Sequence, residues 1–217
     1  MKKIIKSKMV VWVDVDEVLA HFRTMFNLHL KKKFKIKVDK NFVSKDWYYS
    51  DIIPAELVFK DLMDALPENW TEHQKIYPGA KEFLLKLKSL GCHIVMITHV
   101  PQEQSHYRIK NLVKNGLYFD EIYFTGISKT LFSEQLAKRY EGPRKQKVKH
   151  FFIDDRAKNV IEFLDNMDNV ACAVTLNVEH NEKDIKIGKK FKDKFIATPK
   201  NQQEMYQEII KAVKASK

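Results

Sequence analysis

The 217-residue sequence has only two cysteines, Cys92 and Cys172, and no cysteine pair at short spacing. A disulfide framework and a zinc site of the usual kind are therefore excluded. Each cysteine sits in an apolar stretch that reads as core, which fits a reducing, cytoplasmic home. No apolar run approaches the ~18 residues needed to span a membrane. The N-terminal Met-Lys-Lys-Ile-Ile-Lys-Ser-Lys-Met-Val-Val-Trp-Val-Asp runs into charge too soon for a signal peptide and reads as a strand. Arginine is scarce too, five of 39 basic residues. The formal net charge of +11 thus comes from lysines spread along the whole chain, the pattern of a solvated surface more than of a nucleic-acid reader, which favours guanidinium forks. Nucleic acid remains a possible partner but not the favoured one, and oligomeric state is not readable.

What is present is an alternation. Met9 to Val13 is a continuous apolar run, the mark of a strand buried on both faces, and it ends at Asp14, Asp16 and Glu17. Further strands are expected at Cys92 to Thr98, Ile122 to Phe124, Val148 to Ile153, Ala171 to Val174 and Phe195 to Ala197. Helices are expected between them: one carrying Phe83, Leu84, Leu87 and Leu90 and closed by Gly91, then Gln102 to Asn115, Lys129 to Tyr140, Ala157 to Asn166 and Gln202 to Ala215. This pattern predicts an α/β fold with a Rossmann-like parallel sheet between two helical layers. Residues 21–74 interrupt it with aromatics and helical patterning, so the expected division is a core of 1–20 and 75–217 with a helical insertion at 21–74. The polar segment Asn177 to Lys194 reads as a long surface loop.

In such a sheet ligands bind beyond the carboxyl ends of the strands. Polar residues gather there: Asp14 and Asp16 after the first strand, Thr98 after the second, Asp154 and Asp155 after the Val148 to Ile153 strand. Four carboxylates in one crevice repel one another unless a hard cation such as Mg²⁺, or protonation, relieves them. Singly, each motif has a plainer explanation: Asp16 or Asp155 can cap the helix that follows, and a threonine at a strand end can satisfy local backbone.

The ordered set resembles the haloacid dehalogenase (HAD) superfamily. Its first motif reads Asp14-Val15-Asp16-Glu17-Val18, its second Ile94-Val95-Met96-Ile97-Thr98, and its fourth Phe151-Phe152-Ile153-Asp154-Asp155. The resemblance implies a phosphatase in which Asp14 is the nucleophile and Asp16 the general acid and base. Thr98 would hydrogen-bond the phosphate, and Mg²⁺ would be held by Asp14, the Asp16 carbonyl, Asp154 and Asp155. A charge-balancing lysine would be Lys129, with Arg144, Lys145 and Lys147 as rivals. Glu17 stands where the family usually has glycine, and His99 is a candidate substrate contact.

Tyr77-Pro78-Gly79-Ala80 and the Ile153-Asp154-Asp155-Arg156 sequence, with the position of the insertion as a cap, are similar to the 5'(3')-deoxyribonucleotidases. That likeness implies a nucleoside monophosphate as substrate, with cap aromatics such as Phe22, Phe26, Trp47 or Tyr48 stacking on the base, unless those rings form the cap's own core. The alternatives are phosphatases of sugars or other small metabolites, a polynucleotide 3'-phosphatase, and a non-enzymatic basic nucleic-acid-binding protein with a degenerate core.

Overall fold

The computed structural model describes residues 7–46, 48–54, 56–126, 128–140 and 148–217. Trp47 and the lysine-rich 144–147 stretch fall outside these residues. The chain begins with β1 (Met9–Val13) and leaves the sheet for α1 (Phe22–Lys33) and α2 (Phe59–Asp64). It returns through α3 (Ala80–Ser89), β2 (His93–Thr98), α4 (Ser105–Lys114), β3 (Glu121–Phe124) and α5 (Lys129–Tyr140). Then follow β4 (Lys149–Ile153), α6 (Ala157–Asn166), β5 (Val170–Val174), α7 (Glu182–Gly188), β6 (Phe195–Ile196) and α8 (Gln202–Ala215).

The six strands form one sheet in the order β3-β2-β1-β4-β5-β6, and every pairing is parallel. Strand side chains alternate between two cores, as a period of two requires. Val11, Val13, Ile94, Met96, Phe151 and Ile153 meet α3, α4 and α8 on one face. On the other, Val10, Trp12, Val95, Ile97 and Phe152 meet α5 and α6. With both faces covered, most strand residues are apolar, the polar ones such as His93, Thr98, Glu121 and Lys149 standing at strand ends with His150 next to one, and the predicted three-layer α/β architecture is what forms. The strand order reverses at β1, whose neighbours β2 and β4 come from opposite halves of the chain, so the loops after these three strands open a crevice.

The inserted segment leaves and returns side by side. The His21 amide donates to the Lys75 carbonyl and the Tyr77 amide to the Leu19 carbonyl, both at 2.8 Å. Between these linkers lies a small separate core of Phe26, Leu30, Ile36, Val38, Tyr49 and Leu62. Its two α-helices are joined by a long irregular stretch, less helical than the sequence pattern suggests. A second difference concerns Asn177 to Lys194. This segment is not a loop: it forms a 3₁₀ turn at Glu179–Asn181, helix α7 and a further 3₁₀ stretch at Lys189–Lys194. Asn181 ties it down, its side chain donating to the carbonyls of Asp155 (2.6 Å) and Leu176 (3.0 Å) and accepting from the Ala157 amide (3.0 Å). Buried backbone groups at a strand end need partners, and a side chain of this segment supplies them.

Candidate active site

Asp14 follows β1 directly, and its amide still donates to the Ile153 carbonyl at 3.0 Å, so the sheet itself fixes its position. Its Oδ1 accepts from the Val15 amide (2.7 Å) and lies 2.6 Å from the Lys129 ammonium. Lys129 opens α5 and also reaches Asp154 Oδ2 at 3.0 Å. Asp154, fully buried at the end of β4, accepts in addition from the Arg156 amide, and Asn159 Nδ2 donates to both of its carboxylate oxygens, at 3.0 and 3.1 Å. The structure thus places Lys129 between two carboxylates that lie 140 residues apart in the sequence (154 − 14). Arg144, Lys145 and Lys147 lie outside the described residues.

Carboxylate oxygens of Asp14, Asp154 and Asp155 lie within 4.8 Å of one another, and all three residues are buried. Asp155 Oδ2 has no hydrogen-bond partner among the described residues. Burial pushes the Asp14 carboxyl up to about 7; Lys129 opposes this, and Asp154 and Asp16 add repulsion. Asp155 is raised well above the usual range, first by burial and then by Asp154 and Asp14. For Lys129 burial works downward, but Asp14 and Asp154 outweigh it and the net shift is upward. The ammonium pairs with only two of the three crowded carboxylates, and Oδ2 of both Asp155 and Asp14 has no hydrogen bond among the described residues. An all-oxygen cluster with surplus negative charge fits a hard divalent cation such as Mg²⁺.

Asp16 does not join this cluster through its side chain. Its Oδ1 accepts from Arg108 Nη2 at 2.6 Å, and Thr98 Oγ1 reaches its Oδ2 only at 3.5 Å. Thr98 is fully buried and faces Asp16, whereas Asp14, Asp16, Lys129 and Asp155 line a chamber of about 620 Å³. The other wall of that chamber comes from the inserted segment, with Phe22, Tyr48, Tyr49, Phe59 and Trp70. Phe22 stacks on Phe26 at 5.5 Å and meets Trp70 edge-on at 5.1 Å, so it belongs both to the segment's packing and to the chamber wall. His99 lines the chamber and is exposed; its Nδ1 lies 2.9 Å from the Thr125 carbonyl, which can only accept, so Nδ1 carries the proton.

Glu17 adopts φ 57°, the left-handed region that explains why glycine is usual at this point of the motif. Its side chain is buried, accepting from the Arg23 amide (2.8 Å) and the Tyr77 hydroxyl (3.1 Å), with the Arg23 guanidinium at 3.3 Å. It ties the exit of β1 to both linkers of the insertion. Arg108, Asn159, Asn181 and His180 escaped the sequence reading. His180, also on the chamber wall, is pushed down to about 4 by burial and by Arg23 and Arg156. Arg108 carried one signal: it stands four residues before Leu112, in the inward stripe of α4 where an apolar residue is expected.

No protein-family model matches the chain, and no curated protein matches it in sequence. Solved structures do match. A predicted phosphatase from Clostridium acetobutylicum is 21% identical, with 93% of this chain and 98% of that one covered and a TM-score of 0.56. A HAD family hydrolase from Deinococcus radiodurans R1, solved with bound phosphate and sodium, is 13% identical with 94% and 95% covered and a TM-score of 0.60. A phosphonoacetaldehyde hydrolase-like protein from Oleispira antarctica is 10% identical with 100% and 98% covered and a TM-score of 0.59. The fold is that of the HAD hydrolases. At these identities the likeness extends to the fold alone, and because these folds bear different names, the chemistry of this chain has to be read from its own site.

Proposed function

We propose that this protein is a divalent-metal-dependent phosphomonoesterase that works through an aspartyl-phosphate and prefers nucleoside monophosphates. The observation that carries the proposal is Asp14, with Oδ1 engaged by Lys129 and the Val15 amide, while Oδ2 has no hydrogen bond among the described residues and the residue lines the chamber. An oriented carboxylate with one open oxygen is a nucleophile in place.

Asp14 attacks phosphorus, the bond to the leaving oxygen breaks, and Asp16, two residues on at the chamber wall, supplies that oxygen with a proton. Water then attacks the phosphorus, Asp16 takes the water's proton, and the bond to Asp14 breaks to restore its carboxylate. Lys129 holds Asp14 in position and offsets charge on the transferring group. A divalent cation held by Asp14, Asp154 and Asp155 would neutralise the phosphate oxygens. Residues 21–74 act as the cap that admits the substrate.

Five aromatic rings on the cap side favour a flat leaving group, such as a nucleoside, over a sugar phosphate. The acidic side chains of the wall, Asp14, Asp16, Glu17, Asp46, Asp64 and Asp155, outnumber Arg23, Lys129 and Arg156, which argues against a polynucleotide. The test is phosphate release from deoxynucleoside, nucleoside and sugar monophosphates, with Mg²⁺ or with EDTA, beside Asp14→Asn. Turnover is expected only with the metal, with nucleotides ahead of sugars, and loss of a covalent nucleophile should lower kcat by at least about 10⁴. Undiminished turnover in Asp14→Asn refutes the nucleophile assignment.

A further inference from the structure

Asp16 is held differently from its neighbours. Asp14 and Asp154 sit in nets of several donors, whereas the Asp16 carboxylate is 26% exposed and has one short contact, Arg108 Nη2 at 2.6 Å. The contact from Thr98, at 3.5 Å, is too long to fix a direction. Arg108 itself is completely buried, and its Nε and Nη1 have no hydrogen-bond partners among the described residues. Burying a guanidinium with two unfilled donors is costly, and packing alone would be served better by an aliphatic side chain. The cost is met at the one place where the guanidinium reaches the chamber wall.

The helix that carries Arg108 is itself anchored. One turn on, Asn111 donates to the carbonyls of Glu72 (2.9 Å) and Gln74 (2.8 Å), and Trp70 Nε1 donates to Gln104 Oε1 at 3.1 Å. Helix α4 therefore touches the returning end of the insertion on one side and Asp16 on the other.

From this geometry we infer that Arg108 is a positioning residue: it aims the Asp16 carboxylate at the leaving oxygen of the substrate, acting through Asp16 and not on the phosphate. The inference rests on the phosphatase reading above. Without Arg108, a partly exposed carboxylate keeps only the long Thr98 contact and turns toward solvent. Misplacement by about an ångström can cost up to ~10²-fold in rate, and the loss should fall on the step that needs the proton.

The test compares kcat/KM, which reports steps up to the breaking of the ester bond, for two substrates. One is para-nitrophenyl phosphate, whose leaving group departs without a proton; the other is whichever alkyl phosphate the enzyme turns over fastest. In Arg108→Met the alkyl ester is expected to lose about 30-fold and the aryl ester under about threefold. Arg108→Lys should recover part of the alkyl activity. In an Asp16→Asn background, Arg108→Met should add nothing, since the group it positions is gone. Equal losses on both esters, or an additive loss in the Asp16→Asn background, overturn the proposal. If Arg108→Met does not fold, the same comparison in Arg108→Lys decides it. A wild-type protein inactive on every ester overturns the phosphatase reading and this proposal with it, whereas an active one with equal losses overturns this proposal alone.

Discussion

The ends of β1 and β4 and the inserted segment form opposite walls of one chamber but are built on different terms. On the sheet side, Val10 to Val13 and Phe151 to Ile153 are completely buried, and Asp14 and Asp154, which follow these strands directly, are both held by Lys129 at the start of α5. On the insertion side the core is six buried residues among those described, and large apolar groups such as Tyr48 and Val58 are left exposed at 66% and 60%. Groups that do chemistry need sub-ångström placement, which a packed sheet supplies, whereas groups that select a ligand tolerate a softer scaffold. The difference implies that sheet-side changes alter rate or stability for every substrate, and insertion-side changes alter discrimination.

Three changes probe that contrast. The largest effect is expected from Lys129→Met, which leaves Asp14 and Asp154 buried with no cation and should cost about 3–5 kcal/mol by urea unfolding in EDTA. Mg²⁺ should recover a substantial part; no recovery would mean that the three carboxylates do not take up a cation.

Next comes His150, buried in β4, whose Nδ1 accepts from Trp12 Nε1 at 3.1 Å and whose pKa burial pushes down to about 4. The unfolded chain protonates this residue near 6.5, before the folded one does, so stability is complete above that pH and falls as pH drops toward 4. The loss should total roughly 3 kcal/mol. Urea unfolding of wild type and His150→Gln between pH 7 and 4.5 measures it; equal slopes for the two proteins would rule out the assignment.

The smallest effect belongs to the insertion. Tyr48→Ala, at an exposed site on the chamber wall, should change stability by less than about 0.5 kcal/mol. It should still raise KM for nucleotides roughly fivefold while sparing small phosphate esters, because one stacked ring is worth on the order of 1 kcal/mol. A uniform change across both kinds of ester would break the proposed split between the two walls.

The sheet was legible because strands buried on both faces are written as unbroken apolar runs, and Met9 to Val13 and the Phe-Phe-Ile before Asp154 needed nothing else. Asp14, Thr98 and Asp154 follow from those runs by position. Asn177 to Lys194 was misread because its helices are short and polar, held by Asn181 hydrogen bonds that leave no periodic trace. Arg108 and His180 were missed because a polar residue on a helix face looks the same in sequence whether it meets solvent or another charge.

The amino-acid order alone determined the layered parallel sheet and which carboxylates end its strands, since burial and periodicity act over neighbouring residues. Which charges meet was decided only by the tertiary structure: Lys129 between Asp14 and Asp154, Arg108 on Asp16, Glu17 bridging Arg23 and Tyr77. Coulomb attraction and hydrogen bonding act at contact distance, and contact between residues tens of positions apart exists only once the chain has folded.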